Sequence, residues 1–218
     1  MRFSILHISD LHRDLSDEVA NEWLLDSLAR DFDQFDEQTP KIMRPALCIV
    51  SGDLVHGVAL DANNTDEELR RQYAQAEEFL VGLADRFFDG DRERVVILPG
   101  NHDVCLNDVM SSVQRIEIPI EPRKKSMLVD ELFAPGSKLR WSWREMCFFR
   151  ITNSEMYRDR FRYFASTYNS FYQSKRTYQP EPEQQFDVFD FANLGFCVVT
   201  LNSCFNNDPL RRAGAFHP

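Results

Sequence analysis

Four short apolar runs, residues 3–8, 46–50, 95–98 and 196–201, set most of what this chain can become. They are rich in Ile, Val, Leu and Phe on both alternating faces, the pattern of strands in a sheet covered on two sides. Helix-like stretches at residues 17–35 and 66–87 separate the first three. In the second stretch Leu69, Tyr73, Ala76, Leu80 and Leu83 recur every three or four residues, with Glu and Arg on the outside. Strand, helix, strand, helix, strand is a run of β-α-β units, joined by right-handed crossovers into a largely parallel sheet. The expected class is α/β.

After Asn101 the alternation stops. Residues 104–185 show no clear strand and several helix-like stretches. The best is 157–172, where Tyr157, Phe161, Phe164, Tyr168, Phe171 and Tyr172 form one stripe, read first as a core-facing side. Beyond Pro180 and Pro182, residues 186–191 alternate apolar and polar. With the turn Asn193-Leu194-Gly195 they read as a hairpin into 196–201. Residues 104–185 are therefore expected to be a mainly helical insertion or cap within one domain spanning 1–218.

A hydrophobic fraction of 43% excludes an intrinsically disordered chain. No apolar run approaches the ~20 residues of a membrane helix, and the N-terminus reads straight into a strand rather than a signal peptide. The five cysteines are odd in number and form no C-x-x-C pair, which argues against a disulfide framework or a thiolate zinc site. Cys48 and Cys197 sit in apolar runs and read as buried thiols. A soluble, cytoplasmic protein is expected.

The net charge of -10 opposes blanket attraction to nucleic acid or to an anionic membrane. Its distribution is uneven: residues 1–121 hold 11 Lys and Arg against 25 Asp and Glu, whereas residues 122–178 hold 12 against 5. That basic stretch also holds 13 of the 27 aromatics, with Arg123-Lys124-Lys125, Arg140, Trp141, Trp143, Arg144, Arg158, Arg160 and Arg162. Aromatic plates beside Arg are the means of holding single-stranded nucleic acid, so segment 122–178 is a candidate nucleic-acid surface.

Each of the first three apolar runs ends in a polar cluster: Asp10-Leu11-His12, then Gly52-Asp53 with Gly57 beyond, then Gly100-Asn101-His102-Asp103. Open parallel sheets place their sites where the carboxyl ends of adjacent strands converge. Carboxylate, amide and imidazole donors in three such clusters form a metal-site inventory suited to Mn, Fe, Zn or a similar divalent ion.

The three clusters, in this order and each after an apolar strand, resemble the calcineurin-like metallophosphoesterase superfamily, whose motifs run D-x-H, G-D-x-x-x-x-G and G-N-H-[DE]. The resemblance covers residues 1–105 and 186–203 and implies a layered α/β sandwich. It implies two divalent ions: Asp10 and His12 as ligands of the first, Asp53 bridging both, and Asn101 on the second through its amide oxygen. It makes His102 a donor near the scissile phosphate and the leaving group, with Asp103 holding the His102 ring. His56, three residues beyond Asp53, is a candidate contact to substrate phosphate. Asn202, at the end of the 196–201 run, is a candidate for the site crevice. His7, between Leu6 and Ile8, reads as a core histidine.

The family's further motifs, a lone His and a final G-H-x-H, do not appear. His217 follows the 196–201 run too closely to stand in for the first. The sequence is therefore expected to be the N-terminal part of such a domain, incomplete at its C-terminus. Its activity alone should be impaired unless a remaining region or a protein partner supplies ligands. The opening Leu6-His7-Ile8-Ser9-Asp10-Leu11-His12 resembles the cyclic-nucleotide phosphodiesterase and DNA-repair-nuclease branches, which favours a phosphodiester over a phosphoprotein. A catalytically inactive binding or regulatory module is the alternative.

Overall fold

The computed structural model describes residues 2–14, 19–60, 62–143 and 145–204. Strands β1 (Ser4–Ile8), β2 (Pro45–Ser51) and β3 (Val95–Leu98) form a parallel sheet in the order β1-β2-β3. Helices α1 (Asn21–Asp33) and α2 (Thr65–Phe87) make the two crossovers. The 17–35 stretch begins as helix only at Asn21, and Asp17 and Glu18 lie outside the described residues. Helix α2 opens on Asp66, Glu67 and Glu68, which oppose the positive end of its dipole. It buries the predicted stripe of Leu69, Tyr73, Ala76, Leu80 and Leu83. Its Gly82 lets α1 come close, since a Cβ there would stand 2.7 Å from Leu25 Cδ1.

The central and β3 strands are covered on both faces, with Leu47, Cys48, Val50, Val95 and Val96 fully buried. Burial pushes the Cys48 thiol up to about 12. Strand β1 departs from the expectation. It is an edge strand whose outer face is open, leaving Ile5 43% exposed. His7 is consequently not a core histidine: its ring is exposed and its Nε2 lies 2.6 Å from Ser51 Oγ on β2.

Segment 104–185 holds more helix than strand, with α3 (Leu106–Ser111), α4 (Pro122–Leu132), α5 (Ser154–Arg158) and α6 (Arg162–Phe171). It also holds three strands that the sequence pattern conceals. These are β4 (Val113–Ile116), β5 (Leu139–Ser142) and β6 (Cys147–Ile151), antiparallel in the order β4-β6-β5. Strands β4 and β5 are four residues each, with Arg115 and Arg140 interrupting the apolar run. The aromatic stripe faces the core as read, with Tyr157, Phe161, Phe164, Tyr168, Phe171 and Tyr172 all buried. A 3-10 turn, Asp159–Phe161, separates α5 from α6. Helix α6 packs on α2, and the Tyr172 hydroxyl donates to the Val95 carbonyl of β3.

Strands β7 (Phe186–Phe191) and β8 (Phe196–Leu201) form the predicted hairpin, closed by Gly195 at φ 77. Its inner face buries Phe189 and Phe191, β8 lies against β3, and Phe196 stacks on Phe3 at 4.7 Å. Cys197 points to the outer face and is exposed, contrary to its reading as a buried thiol. No helix among the described residues is long and apolar enough to cross a membrane.

Candidate metal and phosphate site

The three polar clusters meet at the carboxyl end of the sheet because two glycines let the chain come together there. Gly52 has φ +87, and a Cβ on it would lie 2.7 Å from Gly100 Cα and 2.8 Å from Gly100 N. A Cβ on Gly100 would lie 2.1 Å from Asp53 Oδ1 and 2.3 Å from Asp53 N. Only two bare backbones fit so close. The loop after β1 is tied to the loop after β2 by hydrogen bonds from His12 N to Asp53 O (2.9 Å), Arg13 N to Leu54 O (3.0 Å) and His56 N to Arg13 O (3.1 Å).

Asp10, His12 and Asp53 all have left-handed backbones, with φ 55, 46 and 53. Such a conformation costs a non-glycine residue ~1–2 kcal/mol. Three instances at the ends of two adjacent strands mark a place where surrounding contacts over-determine strain, a common property of functional sites.

The side chains converge. His12 Nε2 is 3.5 Å from Asp10 Oδ1 and 3.9 Å from Asp53 Oδ2. The His12 and His102 rings stand edge to face at 4.5 Å, and the His56 ring completes a triangle at 5.9 and 6.0 Å. His12, Asp53 and His102 each present a donor atom within 4.8 Å of the others. His12 Nδ1 is buried and has no hydrogen-bond partner among the described residues. Asp10, on the exposed rim, has its pKa lowered by the Ser9 hydroxyl and by His12. Asn101 opens the 3-10 turn Asn101–Asp103 and is exposed.

Within that turn, His102 N donates to Asp53 Oδ1 at 2.9 Å. The His102 ring is held through Nδ1, 2.7 Å from the His56 carbonyl oxygen. A carbonyl can only accept, so this contact assigns the proton to Nδ1 and leaves Nε2 open.

Asp103 is not the partner of the His102 ring, as the resemblance implied. Its carboxylate turns inward and accepts from Gly100 N (2.8 Å), Leu54 N (3.3 Å) and the Tyr73 hydroxyl (3.0 Å). Burial pushes its pKa up to about 7 and the Asp53 charge adds to the rise, while those three hydrogen bonds oppose it. Asp103 thus ties the loops after β2 and β3 to α2. Tyr73 had read only as one member of an apolar stripe, and nothing local in the sequence marks it as Asp103's partner.

The remaining candidates fare differently. Asn202 spends its amide locally: Nδ2 donates to Gln185 Oε1 at 2.7 Å and Oδ1 accepts from Cys204 N at 2.8 Å. These contacts close the foot of the hairpin, and the crevice role finds no contact to support it. His217 and Arg144 lie outside the described residues. Much of the basic charge in 122–178 is neutralised at home. Arg162 pairs with Asp108 and Asp66, Arg158 with Glu181, Lys124 with Glu121 and Arg176 with Glu93 and Asp187. Arg160 is buried against the Tyr157 ring. Trp141 packs edge-on against Phe148, and Trp143 is 59% exposed.

Mixed nitrogen and oxygen donors on a pre-strained backbone, with an orphaned imidazole nitrogen among them, fit a divalent cation better than any ion pair the chain makes for itself. In comparison with known proteins, the family model for calcineurin-like phosphoesterase matches residues 3–207. No curated protein and no solved structure matches.

Proposed function

Because the chain belongs to the calcineurin-like phosphoesterase family, we propose that it hydrolyses a phosphodiester with two divalent ions, Mn, Fe, Zn or similar, at the end of the β1-β2-β3 sheet. Asp10 and His12 would hold the first ion, Asp53 would bridge both and Asn101 would take the second. The observation that carries this reading is the convergence of His12, Asp53 and His102 donor atoms within 4.8 Å of one another, with His12 Nε2 3.5 Å from Asp10 Oδ1 and 3.9 Å from Asp53 Oδ2. Bound divalent ions supply Lewis-acid polarisation of phosphoryl oxygens and activation of water.

The chain's own residues do the rest. His102, anchored through Nδ1, offers Nε2 to the substrate; protonated there, it donates to a phosphate oxygen or to the leaving group. His56 contributes its carbonyl to that anchor and its ring to the substrate side. Asp103 positions the two loops and touches no reacting atom. Nucleic acid is the less favoured source of the phosphodiester, since so many of the basic side chains in 122–178 are already paired. A cyclic nucleotide needs no such surface.

With these donors alone the second ion, held by Asp53 and Asn101, is bound more weakly than the first. The test is manganese titration calorimetry with hydrolysis of bis-p-nitrophenyl phosphate and of the monoester p-nitrophenyl phosphate. The proposal expects one tight and one weak ion, and a preference for the diester. Bound metal with no turnover on either ester would favour the binding or regulatory module.

A further inference from the structure

Helix α2 reaches the site at a second point, one residue before Tyr73. Gln72 is completely buried, though it lies beside the exposed Arg71 in a helix whose charged residues face outward. Its amide makes a two-point clamp on one residue: Oε1 accepts from Gly57 N at 3.0 Å, and Nε2 donates to Gly57 O at 3.2 Å. Gly57 has φ +82, and a Cβ there would stand 3.2 Å from the His102 carbonyl oxygen, so this backbone lies directly against His102. The preceding residue is His56, whose carbonyl oxygen receives His102 Nδ1 at 2.7 Å. A continuous hydrogen-bonded chain therefore runs from the rigid body of α2 through Gln72, Gly57 and the His56 carbonyl to the His102 ring.

We propose that Gln72 is a positioning residue of this site: by fixing Gly57 it holds the His56 carbonyl where it keeps the His102 proton on Nδ1 and Nε2 turned to the substrate. This rests on the reading of His102 as the phosphate-side donor. The ties to the loop after β1 end at His56 N, and Gly57 carries no regular secondary structure, so the clamp is what fixes the peptide unit that joins the His56 carbonyl to Gly57 N. A histidine ring left without its acceptor loses both its tautomer and its aim. Gln suits the task because its amide offers an acceptor and a donor at once, matching the backbone donor and acceptor of one residue, Gly57.

The test compares the full chain with Gln72→Met, which keeps length and volume but makes neither bond, and with Gln72→Glu, which keeps the acceptor and loses the donor. The first readout is the tautomer of His102 in the metal-free, ¹⁵N-labelled protein at about pH 8.5, well above the ordinary imidazole pKa of ~6.5. The wild type should show the proton on Nδ1, and both variants should shift towards Nε2–H or an averaged signal. The second is hydrolysis of bis-p-nitrophenyl phosphate with manganese, where kcat should fall ~10–10²-fold, the scale of a small misplacement of a catalytic group, with KM little changed. A merely structural role would lower the melting temperature and leave the tautomer alone. Should Gln72→Met not fold, Gln72→Glu decides. Folded variants that keep the Nδ1 proton, or a wild type with the proton on Nε2, would overturn the proposal. A shifted tautomer in a chain with no turnover on any phosphoester would uphold Gln72's role and defeat the phosphoesterase reading instead.

Discussion

The close approach of Gly52 and Gly100 can be tested in isolation. Replacing Gly52 by Ala places a Cβ 2.7 Å from Gly100 Cα, 2.8 Å from Gly100 N and 3.2 Å from Pro99 C. All three are backbone atoms, so no side chain can swing aside. Two costs arise. The left-handed backbone at φ +87 strains an L-residue by ~1–2 kcal/mol, and the overlap adds the ~1–3 kcal/mol typical of overpacking. Gly195 provides the control: its φ is +77 and nothing lies within 4 Å of its Cβ position, so Gly195→Ala carries only the strain. Both substitutions reduce the freedom of the unfolded chain alike, which stabilises each by ~0.4–1 kcal/mol and cancels in the comparison. The expected difference is therefore ~1–3 kcal/mol, or roughly 2–12 °C in melting temperature for a chain of this size. Thermal melts followed by circular dichroism measure it. Manganese titration of the same proteins should show binding lost in Gly52→Ala and kept in Gly195→Ala, because the displaced backbone carries Asp53. Equal melting temperatures with equal metal binding would refute the argument that this contact assembles the site.

Asp53→Asn should lose metal and activity together, while His102→Ala should keep its metal and lose ~10²–10⁴-fold in rate, the usual cost of removing a general acid. Metal stoichiometry by mass spectrometry alongside turnover checks both, and loss of metal from His102→Ala would make that ring a ligand. Asp103 should leave a signature in the pH dependence of stability. Its pKa is about 7 in the folded protein against 3.8 for the ordinary side chain, so between those values the folded state holds a proton that the unfolded state has released. Stability should then fall as pH rises from ~4 to ~7 and level off above, by an amount on the order of 4 kcal/mol. Urea melts in the presence of a chelator should show that slope flattened in Asp103→Asn; identical profiles would place the carboxyl in a wetter environment than the one described.

What could be read from the chain alone was whatever repeats over a short distance. The apolar runs and the stripe of α2 declare strands and helix because their periods lie within ten or twenty residues. The polar clusters at three strand ends follow from the order of those elements, since successive parallel strands must bring their carboxyl ends to one edge. The strands β4, β5 and β6 escaped because Arg115, Arg140 and Arg150 interrupt them, whereas β3, no longer than β4, is apolar throughout; their pairing, not their composition, makes them strands. The exposure of His7 also escaped, because burial depends on what packs over a strand: β1 and β3 both end the sheet, but β3 has β8 against it, whereas β1 leaves Ile5 and His7 open. Above all, the partners of the polar side chains were decided by the tertiary structure. Asp103 and His102 are neighbours in sequence, yet one carboxylate turns inward to Tyr73 on α2 while the imidazole turns to a carbonyl 46 residues earlier. A 3-10 turn sends successive side chains in different directions, and only the packing of α2 against the loops settles which acceptor each one meets.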